Sequence, residues 1–336
     1  MNPEKILIIQ TAFPGDVILT LPLLQVLKRE LPDSNIDFIC IPKTAEILEG
    51  NPLINELIVY DKKKSGIKGF SELIRKLRKA KYDILISPHR SFRSSLISYF
   101  SDARKKISFD KSALSFLYNE RVKYEQGMHE IQRNLSLLKP VGISEKNILP
   151  PELFISNAIK TKISEYLKAK NIQPENKFIC IAPGSVWYTK RYPKEKFTEL
   201  CDLLLEKDFK IFLTGGTADK SISEFILKNT INKNVIDTTG EFSFKESAEL
   251  ISRAELLITN DSAPLHLANA VGTKVFAIFG ATIPAFGFYP YGKEDKIFET
   301  DGLKCRPCSI HGGNECPVRT FECMERIHPV SLINSI

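Results

Sequence analysis

The densest chemistry in the chain lies in Thr259-Asn-Asp-Ser-Ala-Pro-Leu-His266. The apolar run Leu256-Leu-Ile258 precedes it and Val275-Phe-Ala-Ile-Phe279 follows, a pattern of strand, polar turn, short helix, strand. A carboxylate, a hydroxyl and an imidazole therefore fall in a turn and the first helical turn after it. Backbone N–H groups are free there and the helix dipole favours an anion, so the segment suits phosphate. Asp261 and Ser262 are also ordinary helix-capping types. The two readings are compatible. His266 lies one helical turn beyond Asp261, near the same mouth.

Other polar motifs also follow apolar runs. Gly15-Asp16 comes after Lys5-Ile-Leu-Ile-Ile9, and Ser87-Pro-His-Arg-Ser-Phe-Arg93 after Asp83-Ile-Leu-Ile-Ser87. Pro183-Gly-Ser185 with Lys190-Arg191 comes after Lys177-Phe-Ile-Cys-Ile-Ala182, and Gly215-Gly-Thr-Ala-Asp219 after Lys210-Ile-Phe-Leu-Thr214. Asp16 reads as a base or as a cap before Val17. Lys190 reads as a phosphate ligand or as a solvated loop lysine. Trp187 and Tyr188 suit either core packing or a sugar or base.

The elements that must carry these motifs alternate. Helical spacing runs over residues 17–31 and ends before Pro32. Strands follow at 37–41 and 56–60, a short helix at 44–48, and a basic amphipathic helix at 70–80. After Pro150-Pro151 the pattern restarts, with helices at 194–206 and 244–252 and a short strand at 234–237. Strands alternating with helices predict parallel sheets with crossover helices. The expectation is α/β, two Rossmann-like doubly wound domains, 1–155 and 156–336, joined near residues 145–165. Ligands in such folds bind beyond the carboxyl ends of the strands, and with two domains the natural site is the cleft between them.

At 336 residues, 43% hydrophobic and 26% charged, the chain has the make-up of an ordinary two-domain protein. No run approaches the roughly 20 apolar residues that span a bilayer. The first residues, Met1-Asn-Pro-Glu-Lys5, lack a signal-peptide pattern, which predicts a cytoplasmic protein. The net charge of +7 sits in the first 150 residues, with 24 Lys+Arg against 17 Asp+Glu; the rest is balanced at 23 and 23. Such an excess fits a solvated helix face or an acidic partner. No GxGxxG, GxxxxGK[ST] or GxSxG pattern occurs. That argues against a dinucleotide dehydrogenase, an NTPase and a serine hydrolase.

Cys305, Cys308, Cys316 and Cys323 have the spacing of a small metal knuckle, for structural zinc or iron, and free thiols holding a loop are the other reading. Cys40, Cys180 and Cys201 sit in apolar segments and read as reduced core residues.

Taken together, these motifs resemble glycosyltransferase family 9, the ADP-heptose:lipopolysaccharide heptosyltransferases, and the second heptosyltransferase type more than the first. The resemblance rests on Gln10-Thr-Ala-Phe-Pro-Gly-Asp-Val-Ile-Leu-Thr-Leu-Pro22, on Tyr82-Asp83 with His89-Arg-Ser-Phe-Arg-Ser94, and on His129-Glu-Ile-Gln-Arg-Asn134. It continues through Pro183-Gly-Ser185 with Lys190-Arg-Tyr-Pro193 and Asn260-Asp-Ser-Ala-Pro-Leu-His266 with Phe279-Gly280. It implies a GT-B fold, with acceptor mainly on the first domain and nucleotide sugar on the second. It implies inversion at the anomeric carbon with no cofactor required for catalysis. Asp16 then falls on the family's proposed general base. Ser185, Lys190, Asp261, Ser262 and His266 fall on the diphosphate site, and Asp219 lies near the ribose. His89, Arg90 and Arg93 fall on the acceptor loop. Ala263 departs from the family's usual glycine, and its methyl narrows the approach of a diphosphate to the backbone. The implied partners are ADP-heptose and an anionic lipopolysaccharide precursor at the inner-membrane face, so peripheral attachment there is expected.

Two alternatives stand beside this one. The first is another nucleotide-sugar transferase or an epimerase on the same fold. The second is a zinc-dependent nucleic-acid-binding protein. It is disfavoured, and no nucleic-acid partner is expected, because the basic excess and the cysteines lie in different halves and no aromatic-interleaved basic stripe is present.

Overall fold

Ile6, Leu7, Ile8 and Ile9 are fully shut off from solvent, as a strand covered on both faces must be. They form most of β1 (Lys5–Ile9). On one side β1 pairs in parallel with β2 (Asn35–Cys40), Ile6 opposite Ile36 and Ile8 opposite Phe38. On the other it pairs with β4 (Ile84–Ser87), Ile6 opposite Ile84. With β3 (Glu56–Val59), β5 (Lys105–Phe109) and β6 (Glu120–Val122) the sheet order is β3-β2-β1-β4-β5-β6. The chain leaves β1 toward β2 and β3, then returns to lay β4 on the other flank. The sheet therefore has its switch point between β1 and β4, where a crevice opens at the carboxyl ends.

The computed structural model describes residues 4–145, 147–173, 176–231 and 234–336; Met1, Asn2 and Pro3 of the N-terminal reading lie outside these. The chain divides into two units, Met1–Phe154 and Ile155–Ile336. The second repeats the plan with β7 (Phe178–Ala182), β8 (Lys210–Leu213), β9 (Val235–Asp237), β10 (Leu256–Asn260), β11 (Val275–Phe279) and β12 (Lys296–Glu299). Its order is β12-β11-β10-β7-β8-β9, all parallel, with the switch point between β10 and β7. Ile179, Ile181, Ile211, Leu213, Ile258 and Ile278 form its core with Phe197, Leu200 and Leu204 from the helix Lys194–Leu205.

Several elements differ from expectation. The single helix over 17–31 is two, Pro14–Ile18 and Leu21–Glu30. Pro22 is the cause. It has no N–H to continue the ladder, but it is tolerated in the first turn of a new helix, where that N–H would be unpaired anyway. Strands β5, β6 and β12 extend the sheets beyond those read from the sequence. The helix Ala263–Val271 ends on Gly272 at φ +78°, a left-handed turn that glycine adopts without a Cβ penalty. Among the described residues no helix is long and apolar enough to cross a membrane.

Candidate active site

In the first unit the polar groups collect at the β1–β4 switch point. The Thr11 hydroxyl and His89 Nδ1 are 2.9 Å apart, joining the loop after β1 to the loop after β4. Ser91 and Ser94 hydroxyls lie 3.4 and 3.2 Å from the same nitrogen. Burial, then Lys62 and Arg90, push the His89 pKa down to about 4. At neutral pH His89 is therefore an uncharged, hydrogen-bonded post. The Lys62 ammonium donates to the Thr11 carbonyl at 2.9 Å, and the Arg93 guanidinium donates to the Lys62 carbonyl. Arg93 thus braces the lysine loop.

Asp16 is the third residue of the helix Pro14–Ile18. Its carboxylate accepts the Phe13 N–H at 3.1 Å, so it does help cap the helix. The residue keeps some solvent contact, but its carboxyl lies deep enough for lost hydration to dominate its titration. That desolvation, and next the charge of Glu130, raise its pKa to about 7, against smaller opposing effects that include Arg90. A carboxyl poised near neutrality suits proton transfer.

Glu130 is itself buried and pairs with Arg133 at 2.6 Å. Arg133 is 1% exposed and also donates to the carbonyls of Glu125, Gln126 and Met128 at 3.4, 3.0 and 2.6 Å. Two guanidiniums approach the Tyr124 ring, Arg90 at 4.0 Å and Arg133 at 4.8 Å from its centroid. Arg90, Lys111, Tyr124, Glu125, Gln126 and Gly127 line a cavity of about 620 Å³. The lining thus combines two cations, Arg90 and Lys111, the Tyr124 ring and one carboxylate, Glu125. Lys111 and Tyr124 carry no signal of their own in the sequence, and Glu130 and Arg133 stand there only within the segment 129–134, with no role attached; the fold brings the four together.

In the second unit the switch point between β10 and β7 carries the opening motif. The Asn260 amide donates to the carbonyls of Pro183 and Gly184 at 2.8 and 3.3 Å and accepts the Tyr192 N–H at 2.9 Å. One buried side chain thus ties both loops. Ser262 holds the N-cap position of Ala263–Val271, yet makes no side-chain capping bond. Its hydroxyl donates back to the Asn260 carbonyl at 3.3 Å. Of the first N–H groups of this helix, Pro264 has none and Leu265 donates to the Ser262 carbonyl at 3.1 Å, which leaves Ala263 as the first-turn donor that no side chain caps. His266 is 5% exposed, one turn in, with the Phe288 ring centroid 6.5 Å away.

Lys190 ends the short turn Tyr188–Lys190, and its ammonium pairs with Asp261 at 2.6 Å. The same carboxylate accepts from the Thr282 hydroxyl at 2.6 Å. Asp261 is thus a holder for the cation; a second anion beside it would be repelled. Asp219 accepts the Gly216 N–H at 3.0 Å, and a Cβ on Gly184 would meet its Oδ1 at 2.1 Å. Only glycine at 184 lets the loops after β7 and β8 close around that carboxylate. Ser185 is buried beside them, and its carbonyl accepts from Arg191 Nε at 2.7 Å. Tyr188 stacks on Phe321 with centroids 5.4 Å apart, so its ring is engaged in packing.

Of the four C-terminal cysteines, Cys305, Cys308 and Cys316 lie in a loop and Cys323 in the short helix Glu322–Glu325, buried in the core of the second unit. Burial first, then the neighbouring thiols, raise the pKa of Cys308 and push that of Cys323 up to about 11. The thiols are close enough to feel one another. The Cys308 thiol nevertheless turns to the Cys305 carbonyl at 3.3 Å. Among the described residues no group of three or more His, Cys, Asp or Glu side chains is arranged to hold a metal.

Two doubly wound parallel domains, with polar clusters at their switch points, define the GT-B class of glycosyltransferase. The profile of glycosyltransferase family 9 (heptosyltransferase) matches residues 70–316, and the chain belongs to that family. It is 31% identical to lipopolysaccharide heptosyltransferase 3 of Escherichia coli K12 over 82% of each chain. It is 29% identical to lipopolysaccharide heptosyltransferase 1 of Campylobacter coli, over 83% of this chain and 84% of that one. Among solved structures, a family 9 glycosyltransferase of Veillonella parvula superposes with a TM-score of 0.86 at 24% identity, covering 99% of this chain and 96% of its own. The ADP-heptose heptosyltransferase II of E. coli superposes at 0.81 with 22% identity, covering 98% and 97%.

Proposed function

We propose that this glycosyltransferase moves a heptose from ADP-heptose onto the inner core of a lipopolysaccharide precursor, with inversion at the anomeric carbon. The observation that carries the reading is Asp16, a carboxyl whose pKa is raised to about 7 and which feels the charge of Arg90, a residue that lines the cavity. An acceptor hydroxyl attacks the anomeric carbon as the bond to the diphosphate breaks. Asp16 takes the hydroxyl proton and ADP departs with the bonding electron pair. The charge that develops on the diphosphate is met by Lys190 and the positive end of the helix Ala263–Val271, near Ser185, Ser262 and His266. Asp219 receives the ribose. Arg90 and Lys111 hold an acidic group of the acceptor, with His89 and Arg93 shaping the loop they share. The names of the relatives, lipopolysaccharide heptosyltransferases 1, 2 and 3, support the class of donor and acceptor. The basic first unit suits a lipid-borne anionic acceptor at the inner face of the membrane. NMR of the new linkage tests the mechanism. A single displacement yields the anomeric configuration opposite to that of the donor, and a retained configuration contradicts it.

The same reading sets a pH dependence. A protonated Asp16 accepts no proton, so kcat/KM should fall as pH drops through about 7. Glu130→Gln removes a negative charge that raises the Asp16 pKa, so the acid limb should move to lower pH. A pH–rate profile of the two enzymes checks this. A limb that does not move, or one already near the ordinary carboxylate range in the wild type, counts against Asp16 as the base.

We also propose that Cys305, Cys308, Cys316 and Cys323 bind a structural zinc or iron after small side-chain rotations. Cys308 and Cys323, whose pKa burial and then the neighbouring thiols raise, are relieved when a cation draws them into thiolates. Elemental analysis of reduced, chelator-free protein should find about one metal ion per chain, the stoichiometry of a tetrathiolate site. Metal-free protein whose native thiols all react with a thiol reagent would contradict it.

A further inference from the structure

Lys190 sits on a three-residue turn with a long flexible stem. Such a side chain loses rotamer freedom when fixed, so something must hold it if it is to meet a diphosphate in one place. Asp261 holds the ammonium. The stem is held by a different part of the chain. A Cβ on Gly312 would lie 3.0 Å from Lys190 Cγ, 3.1 Å from Cδ and 3.1 Å from Trp187 Cβ. The lysine stem therefore runs along bare backbone at Gly312, where φ is +90°. Next to it the two segments exchange hydrogen bonds: Thr189 N–H donates to the Gly313 carbonyl at 3.0 Å, and Gly313 N–H donates to the Thr189 hydroxyl at 2.8 Å. Thr189 is 2% exposed, so this pairing is shielded from water.

The loop that presents Gly312 is itself anchored. The Ser309 hydroxyl accepts the Gly312 N–H at 2.8 Å and donates to the Gly312 carbonyl at 2.9 Å, closing the turn. Cys308 N–H donates to the Ala281 carbonyl at 2.9 Å. Arg306, 6% exposed at its side chain, donates to the carbonyl of Thr282 at 2.9 Å and of Thr300 at 3.0 Å. Thr282 is the residue whose hydroxyl bonds Asp261. The cysteine-rich segment thus touches both members of the ion pair, the lysine through Gly312 and the aspartate through Arg306 and Thr282. We infer that residues 306–313 are a positioning element for Lys190, which fixes its ammonium for the leaving diphosphate through Gly312 against the lysine stem and Gly313 bonded to Thr189. This rests on the donor-site reading proposed above.

A segment that merely stabilised the domain would shift the melting temperature and leave the balance between donor and acceptor unchanged. A positioning segment weakens the nucleotide through Lys190 alone. The test is calorimetry with ADP on the full chain, with KM for donor and acceptor measured beside it. Gly312→Ala and Thr189→Val should each weaken ADP by about tenfold, raise the donor KM and leave the acceptor KM unchanged, whereas Thr189→Ser, which keeps the hydroxyl, should restore wild-type binding. Added to Lys190→Ala, Gly312→Ala should weaken ADP no further. An equal loss in that background shows that the segment acts on something other than Lys190 and overturns the inference. Unchanged ADP binding in Thr189→Val, with binding weakened in Lys190→Ala, also overturns it and leaves the phosphate site standing. If Lys190→Ala itself binds ADP normally, the donor-site reading and this inference fail together.

Discussion

Asp16→Asn should cut turnover by on the order of 10²–10⁴ while ADP binds as before, because general-base loss has that cost. Asparagine keeps the size of the side chain. Its amide oxygen still accepts the Phe13 N–H that the carboxylate accepts at 3.1 Å, so the helix Pro14–Ile18 keeps its cap. What disappears is the ability to take a proton. ADP binding belongs to the second unit in this account, so calorimetry with ADP separates a chemical defect from a folding one. Turnover within about threefold of wild type would reduce Asp16 to a cap, since that is under 1 kcal/mol of barrier.

Lys190→Ala should weaken ADP by roughly 1.5–3 kcal/mol, the range for a charge-assisted contact, or about 10- to 150-fold. The upper end is favoured by Asp261. That carboxylate is 5% exposed and holds both the Lys190 ammonium and the Thr282 hydroxyl. Without the lysine it stands as an uncompensated negative charge beside the place the diphosphate should occupy. The variant loses an attraction and gains a repulsion. If ADP affinity in the variant equals that of wild type, the phosphate site lies elsewhere.

The fold was largely legible because a doubly wound sheet writes itself as short apolar runs. Lys5–Ile9 and Val275–Phe279 have the bounds their sequences suggest. Edge strands are harder to read. β5 begins Lys105-Lys106 and reads as part of a charge run, β6 is three residues with two charges, and β12 is half exposed. Pro22 does not show as a break in the sequence because helical spacing continues through it, although the hydrogen-bond ladder cannot. The polar motifs lie where their spacing after the strands predicted. Their contacts were not legible. Nothing in the order of residues announces that Asp261 faces Lys190, that Tyr124 meets both Arg90 and Arg133, or that Glu130 comes near enough to Asp16 to shift its titration. Those pairings arise from parallel strands delivering distant loops to one rim. The cysteine spacing likewise suggested a closed metal knuckle, whereas the loop that carries it has its clearest contacts with Thr189 and Lys190.

The central claim is that the chain transfers heptose and that Asp16 carries the proton. Mass spectrometry of an inner-core lipopolysaccharide acceptor incubated with ADP-heptose, wild-type enzyme and Asp16→Asn side by side, tests it most directly. The account predicts an acceptor heavier by one heptose with release of ADP in the wild type, and little or none in the variant over the same time. Acceptor that stays unmodified with active, ADP-binding wild-type protein, or that is modified equally by both proteins, would contradict it.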